Sequence, residues 1–256
     1  MNNKCPVCSK PILYASFKST NNVDTCSETC SRIYESTTSK HTSDVYNEDY
    51  YLRGRETGKS LYKDYRWMPE LTIPMCARIV NHLGIINGDT ILDFGCARGY
   101  LIKAFGILGY DAYGTEISQW ARDNCDPAVK HKILCSDVTL GPDIVDWVIA
   151  KDVLEHVENV QQTVNELMYM ARKGVFVVVP LSNKNGDPYV CKEYEADITH
   201  IHRLTLPTWA AMFTRPGWSV DSRYHLWYIK QNYHKRGLER ANGFITCRRE
   251  SMTYSE

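Results

Sequence analysis

The chain has 256 residues, which is enough for one α/β domain with a sizeable core and a small appended module. Its content of 43% hydrophobic and 23% charged residues is that of an ordinary globular protein and excludes a disordered or fibrous chain. Thirty basic and thirty acidic residues cancel, so the overall charge gives no reason to expect nucleic acid as the default partner.

The longest strongly apolar run is Val175 to Leu181, far short of the roughly 20 residues that a membrane-spanning helix needs. Residues 1–4 lack the basic and apolar pattern of a secretory signal. We therefore expect a soluble, cytoplasmic protein.

Residues 1–40 contain two cysteine pairs separated by seventeen residues. The pairs are Cys5 with Cys8 and Cys26 with Cys30. Four thiolates at this spacing suit tetrahedral zinc, and metal binding would supply the folding energy that so little apolar surface cannot. The run Thr25 to Arg32 resembles the second half of small treble-clef fingers, so we predict a zinc-binding module over 1–40. The remaining cysteines are scattered, which indicates reduced thiols in a core.

Residues 41–68 follow as a linker and an aromatic segment. A polar stretch, Ser36 to Ser43, reads as a linker. The segment from Tyr46 to Trp67 is rich in tyrosine and has no clean period. Two interpretations stay open: a lid over a cofactor and acceptor, or an ordinary packed aromatic cluster.

From residue 69 onwards, a helix around Leu71 to Leu83 precedes short apolar strands that alternate with helical patterns. This alternation predicts a parallel sheet. We expect a helix over Glu158 to Lys173 with Gly174 at its C-cap, then a buried strand over Val175 to Val179. The later expected elements are a helix over Pro207 to Phe213, strands over Trp218 to Leu226 and Gly243 to Cys247, and a basic insertion over Lys230 to Arg240 between those strands.

The most informative segment is a strand that runs into a small-residue turn and then a helix, over residues 91–100. Such a turn lets the backbone approach a ligand without interference from Cβ atoms. About 20 residues later Glu116 ends the next expected strand, where a carboxylate can accept hydrogen bonds from both ribose hydroxyls. The combination points to an adenosine-type cofactor.

This segment resembles the glycine-rich motif of class I S-adenosylmethionine-dependent methyltransferases, and the resemblance covers roughly Leu71 to Gly217. It implies a Rossmann-like α/β fold with a seven-stranded, mostly parallel sheet and helices on both faces, in a domain spanning 69–256. Ala97 stands where the family usually has glycine. The cofactor-binding residues implied by the resemblance are Asp93, Gly95, Cys96, Ala97, Gly99, Tyr100, Glu116, Ile117, Asp137, Lys151 and Asp152.

A nicotinamide-dependent dehydrogenase is the rival interpretation of the same turn. Its fingerprint requires a glycine where this chain has Tyr100, and it does not account for the run from Asp152 to His156. The methyltransferase is therefore favoured.

Methyl transfer from a sulfonium depends on orienting the acceptor, with a base where the acceptor is a hydroxyl. His200 and His202 follow the fifth expected strand and would face the same side on extended backbone. Together with Asp152 and His156 they are the candidate catalytic residues. Structural roles remain the alternative for each histidine.

We expect O-methylation of a sugar, a glycan-linked group or another small hydroxylated acceptor. The first alternative is an RNA methyltransferase that uses the zinc module and a basic C-terminal segment. The second is an inactive scaffold or binding protein with a methyltransferase fold. The basic residues considered for RNA are Lys230, Lys235, Arg236, Arg240, Arg248 and Arg249.

Overall fold

The computed structural model describes residues 17–18, 24–25, 44–136, 140–226 and 228–250. The strands are β1 (Phe17–Lys18), β2 (Asp24–Thr25), β3 (Thr90–Phe94), β4 (Asp111–Glu116), β5 (Ile133–Cys135), β6 (Val145–Lys151), β7 (Ala171–Pro180), β8 (Trp218–Arg223) and β9 (Asn242–Arg249). The α-helices are α1 (Glu48–Leu52), α2 (Gly54–Thr57), α3 (Pro69–Leu83), α4 (Tyr100–Ile107), α5 (Gln119–Asp123), α6 (Val160–Met170), α7 (Leu206–Ala211) and α8 (Gln231–Lys235). Short 3₁₀ turns lie at Lys130–Lys132, Leu154–His156 and Lys192–Ala196.

Within the described ranges, seven strands form one sheet in the order β5-β4-β3-β6-β7-β9-β8. The strands from β5 to β7 are parallel, and β9 runs antiparallel between β7 and β8. The chain moves outward from β3 to β5 and then returns to place β6 beside β3. In open α/β sheets, ligands bind in the crevice at the carboxyl ends of the strands where the order reverses in this way.

Helices cover both faces of the sheet, and the central strands alternate between the two cores. Trp147 and Ile149 of β6 pack with helices α3 and α4 on one face. Val148 and Ala150 pack with α6 and α7 on the other. A strand that is buried on both faces consists mainly of consecutive apolar residues, which explains the apolar composition of β6 and β7. The expected Rossmann-like sheet is confirmed.

The boundary between α6 and β7 differs from the sequence expectation. Helix α6 ends at Met170, and β7 begins at Ala171 instead of Val175. Gly174 does not cap the helix but pairs with Trp147 inside the sheet. A Cβ atom at Gly174 would lie 2.5 Å from the Trp147 ring and 2.6 Å from the Cys247 carbonyl oxygen, so close packing explains this glycine.

The boundaries of other helices and strands also differ from the sequence expectation. Helix α7 covers Leu206–Ala211, and β8 ends at Arg223 rather than Leu226. Helix α8 lies within the expected basic insertion. His156 ends a 3₁₀ turn and does not begin a helix.

The four N-terminal cysteines lie outside the described residues. Between the two cysteine pairs, β1 and β2 pair antiparallel, with Phe17 opposite Thr25. Among the scattered cysteines, Cys76, Cys96, Cys125, Cys191 and Cys247 are buried thiols, as expected. No helix in the described part of the chain has both the length and the apolar character to span a bilayer.

Candidate active site

A cavity of about 600 Å³ opens at the carboxyl ends of β3, β4 and β6. This volume is typical of small-molecule sites. The cavity is contiguous from the turn after β3 to the loop that carries His200. The candidate residues that line it are Asp93, Gly95, Cys96, Ala97, Glu116, Ile117, Lys151, Asp152, His156 and His200.

The turn after β3 is held tightly against β4. The backbone N–H groups of Gly95 and Cys96 both donate to the Thr115 carbonyl oxygen at 2.9 Å. Gly95 has φ +75°, and a Cβ atom there would lie 2.6 Å from Val153. Glycine is therefore required at this position both by conformation and by space.

Ala97 adopts a left-handed conformation with φ +49°. This conformation is unfavourable for a residue with a Cβ atom. Its backbone N–H donates to Glu116 Oε2 at 2.7 Å, which helps to hold the turn. The substitution of alanine for the usual glycine thus leaves the turn intact.

Glu116 lies at the end of β4 and is 4% exposed. Its Oε1 accepts a second hydrogen bond from the Ser118 N–H at 2.7 Å. Burial raises the pKa of Glu116, while the N–H groups of Ser118 and Ala97 act in the opposite direction. Each carboxylate oxygen can accept a further bond, so the group remains able to bind ligand hydroxyls.

Asp93 stands beside Glu116 at the cavity wall and is 3% exposed. Burial raises the pKa of Asp93 to about 7, against the effect of the Lys151 ammonium. A cationic ligand would favour the ionised carboxylate.

Asp152 bridges two lysines at the end of β6. Its Oδ2 lies 2.6 Å from Lys151 Nζ and 2.8 Å from Lys230 Nζ. Burial acts to raise the pKa of Asp152, but the two ammonium groups outweigh it and hold that pKa well below its usual range. Asp152 is therefore an anion at neutral pH.

Three titratable groups, Glu155, His156 and His200, meet in the same cavity. We call them the Glu-His-His cluster. Glu155 Oε1 lies 3.9 Å from His156 Nε2 and 4.0 Å from His200 Nε2. The histidine rings are 4.6 Å apart between centroids. Burial raises the pKa of Glu155 well above its usual value, and the Asp152 charge adds to this effect.

A hydrogen-bond chain fixes the tautomer of His156. Tyr50 donates to Asp197 Oδ2 at 2.8 Å, and the Thr199 hydroxyl donates to Asp197 Oδ1 at 2.6 Å. Thr199 Oγ1 has only one hydrogen, so at 2.8 Å from it His156 Nδ1 must be the donor. The Nε2 atom of neutral His156 consequently carries a lone pair.

Both cluster histidines are neutral at physiological pH. Burial, followed by the neighbouring His200, lowers the pKa of His156 to about 4. Burial also lowers the pKa of His200. Unprotonated imidazoles can accept a proton or bind a metal ion.

His202 separates from His200, contrary to the expectation that both face the same side. The His200 N–H donates to the Asp197 carbonyl oxygen, so the chain turns before His200 instead of running extended. His202 Nε2 donates to the Val157 carbonyl oxygen at 2.7 Å, and its ring packs against Trp209. His202 is not one of the described residues that line the cavity.

Gly99 and Tyr100 also lie outside the cavity lining of the described structure. Gly99 is the N-cap of α4 and has φ +77°. Tyr100 stacks on Tyr65 at 5.3 Å between ring centroids. Asp137 falls outside the described residues.

The segment from Tyr46 to Trp67 covers the cavity. Tyr51 stacks on Trp120 at 5.3 Å, and Tyr62 packs edge-on against Tyr65 at 4.8 Å. Ser118 donates from its hydroxyl to the Tyr46 carbonyl oxygen, which ties the segment to the residues after β4. The aromatic side chains thus form one wall of the cavity and do not fill it.

Sequence reasoning did not assign several residues to this site. Asp197 and Lys230 reach the cavity from distant loops, and no local pattern indicates them. Glu155 was visible in the sequence as the carboxylate directly before His156, within the run from Asp152 to His156.

Five of the six basic residues considered for RNA binding have partners among the described residues. Lys230 is paired with Asp152, Arg236 with Glu193 at 2.9 Å and Arg249 with Asp143 at 2.8 Å. Arg248 donates to the carbonyl oxygens of Leu83 and His82, and Arg240 donates to the Tyr224 hydroxyl. These contacts weaken the case for a phosphate-binding surface.

The residues of the first half of the cavity fit S-adenosylmethionine. Two buried carboxylates, Asp93 and Glu116, face a cavity beside a tightly turned backbone. They match a ligand with a positively charged amino-acid half and a ribose. The side chain of Ile117 is 36% exposed and offers an apolar surface for a purine.

The sheet order and the crevice at the carboxyl ends of its strands are those of a Rossmann-like fold. A family model described as a methyltransferase domain matches residues 69–223, more than half of the chain. The chain therefore belongs to this family of methyltransferase domains.

Curated relatives agree with this assignment. The chain is 31% identical over 123 residues to a ubiquinone biosynthesis O-methyltransferase of Rickettsia felis, in a match covering 44% of this chain and 49% of the relative. The corresponding protein of Rickettsia canadensis is 28% identical over 123 residues, covering 44% of this chain and 51% of the relative. The chain spans about half the length of the curated relatives it matches.

Solved structures share the fold. A chain from the complex between the Haloferax volcanii Trm112 methyltransferase activator and the putative methyltransferase has a TM-score of 0.60 and 13% identity, over 84% of this chain and all of that one. An S-adenosylmethionine-dependent methyltransferase from Archaeoglobus fulgidus has a TM-score of 0.54 and 16% identity, over 71% of this chain and 95% of that one.

Proposed function

We propose that the protein transfers a methyl group to an oxygen of a sugar, glycan-linked or other small hydroxylated acceptor. The observation that carries this proposal is the continuity of one cavity between the Asp93 and Glu116 carboxylates and the Glu-His-His cluster. The first end suits the cofactor, and the second supplies unprotonated imidazoles where an acceptor hydroxyl must lose its proton. The curated relatives are named O-methyltransferases, which supports oxygen as the acceptor atom.

We assign cofactor binding to the turn after β3 and to Glu116, with Asp93 facing the amino-acid half. When bound, the cofactor supplies a methyl group on a positively charged sulfur. Lys151 and Asp152 also line the cavity. The aromatic segment excludes water and orients the acceptor, which is where most of the acceleration of an in-line displacement originates.

The charge of the cavity disfavours a polyanionic acceptor. Its carboxylate-bearing lining residues outnumber its lysines and arginines. The carboxylates belong to Asp93, Glu116, Asp152, Glu155, Glu158, Glu193 and Asp197, and the basic groups to Arg55, Lys151 and Lys230. Phosphate groups of RNA would be repelled here, so a neutral hydroxylated acceptor is favoured.

A transfer assay with labelled S-adenosylmethionine tests the proposal. Neutral sugars, glycans, small phenols and RNA are offered separately to the wild type, to His200→Gln and to the control His131→Gln, which alters an exposed histidine. We expect turnover on a hydroxylated small acceptor, a loss of about 10²-fold or more in His200→Gln, and no loss in the control. Turnover on RNA alone would refute the proposal.

We also propose that Cys5, Cys8, Cys26 and Cys30 hold a structural zinc ion. The support is their spacing, with the β1–β2 pairing between the two cysteine pairs. Metal analysis of the purified chain should give one zinc ion that is lost in Cys5→Ser. Equal zinc content in both proteins would contradict this assignment.

A further inference from the structure

The Glu-His-His cluster contains a buried carboxylate without a compensating partner. Glu155 is 1% exposed, and its Oε2 atom has no hydrogen-bond partner among the described residues. An unpaired buried carboxylate oxygen is energetically unfavourable. We therefore expect a cation or a hydrogen-bond donor to bind to this group.

The neighbouring imidazoles do not supply that donor. The distances from Glu155 Oε1 to His156 Nε2 and His200 Nε2, 3.9 and 4.0 Å, are too long for hydrogen bonds. The Thr199 contact leaves a lone pair on His156 Nε2. One ligand atom from each of the three residues lies within 4.8 Å of the other two. Atoms that bind the same ion at about 2.1 Å lie up to about 4.2 Å apart, so only a small contraction is needed.

We propose that Glu155, His156 and His200 bind one divalent transition-metal ion at the acceptor end of the cavity. Two imidazoles and one carboxylate suit Mn²⁺, Fe²⁺, Co²⁺ or Zn²⁺ and leave further coordination positions open. Asp197 and Thr199 position His156 through its Nδ1 atom, as carboxylates commonly do for metal-binding histidines.

The surrounding charges also favour a cation. Lys151 and Lys230 are both engaged by the single Oδ2 atom of Asp152. The Glu155 carboxylate therefore lacks an ammonium partner of its own among the described residues, and a dication would compensate it.

The part that the ion plays in turnover rests on the proposed function. An acceptor hydroxyl bound to the ion has a lowered pKa and loses its proton to water. The resulting oxygen forms a bond to the methyl carbon, the carbon–sulfur bond breaks, and its electron pair stays on sulfur as a thioether. An acceptor with two adjacent hydroxyls fits an ion with two open positions.

Metal binding is measured on the full chain without acceptor. Mn²⁺ is followed by electron paramagnetic resonance and Co²⁺ by visible absorption, in the wild type, Glu155→Gln, His200→Gln and the control His131→Gln. Mn²⁺ prefers oxygen and nitrogen ligands, so it discriminates this cluster from the cysteine pairs. Circular dichroism and thermal unfolding establish that each variant is folded.

We expect a Mn²⁺ site in the wild type and in the control, with the Kd raised about tenfold or more in Glu155→Gln and His200→Gln. Equal affinity in folded variants and wild type, or no bound Mn²⁺ or Co²⁺ in the wild type, would overturn the site. If turnover continues after a chelator has removed the ion completely, the proposed catalytic role of the ion is wrong. Bound Mn²⁺ with no turnover on any hydroxylated acceptor would instead refute the proposed function and leave the site in place.

Discussion

Replacing Asp152 with asparagine removes the anion that two lysines share. Its side chain is 23% exposed, and those of Lys151 and Lys230 are 19% and 16% exposed. Removing one partner of a buried ion pair typically costs about 3–5 kcal/mol because the other charge remains desolvated. These groups retain some access to water, so we expect a loss of about 2–4 kcal/mol in the free energy of unfolding.

The backbone makes asparagine the informative choice. Asp152 has φ +58°, and asparagine accepts this conformation about as well as aspartate, whereas alanine would add strain. Lys230 also has a positive φ of +56°. Methionine there keeps an unbranched side chain and removes only the charge, so Lys230→Met completes a double-mutant cycle.

Urea denaturation of the four proteins of this cycle measures the effect. Because Asp152→Asn and Lys230→Met remove the same contact, we expect the double variant to be at least about 1 kcal/mol more stable than the sum of the single losses predicts. A loss below about 0.5 kcal/mol in Asp152→Asn, or strict additivity, would refute the reasoning.

Three further predictions concern substitutions of single residues. Glu116→Gln should weaken S-adenosylmethionine binding by about 1–3 kcal/mol in calorimetry, since a charge-assisted contact is lost; unchanged affinity would place the ribose elsewhere. Gly174→Ala should destabilise the fold by about 1–3 kcal/mol because its Cβ atom has no room, whereas Gly106→Ala in α4, with open space around it, should be neutral or stabilising; equal thermal shifts would contradict this. Hydrogen bonds from Arg172 lower the pKa of Asp146, so this carboxylate stabilises the fold above the unfolded-state pKa of about 4, and the stabilisation is lost as pH falls further. Acid titration of unfolding should therefore show a smaller decline in Asp146→Asn, and an identical profile would argue against the pair.

Local patterns were sufficient to predict the strand, the turn and the carboxylate that line one part of the cavity. The strand, the turn at Gly95 and the carboxylate at Glu116 lie within a single βαβ unit, where each residue is placed by its neighbours in sequence. The same reasoning failed at Gly174 because the glycine that usually ends a helix also serves where a strand packs against an indole ring. The sequence pattern of one segment does not reveal which strand will lie beside it in the sheet.

The part of the cavity around the Glu-His-His cluster depended on the tertiary structure. Tyr50 and Asp197 are 147 positions apart in the chain, and their hydrogen bond exists only because the fold brings α1 and the segment after Lys192–Ala196 to one crevice. In the sequence, Lys230 is one of several basic residues in a basic stretch. Only the folded structure shows that it forms an ion pair with Asp152. The sequence by itself determined the fold and the turn after β3, since periodicity and turn chemistry are local. Only the folded chain decided which charges face one another, because those distances depend on how separate elements pack.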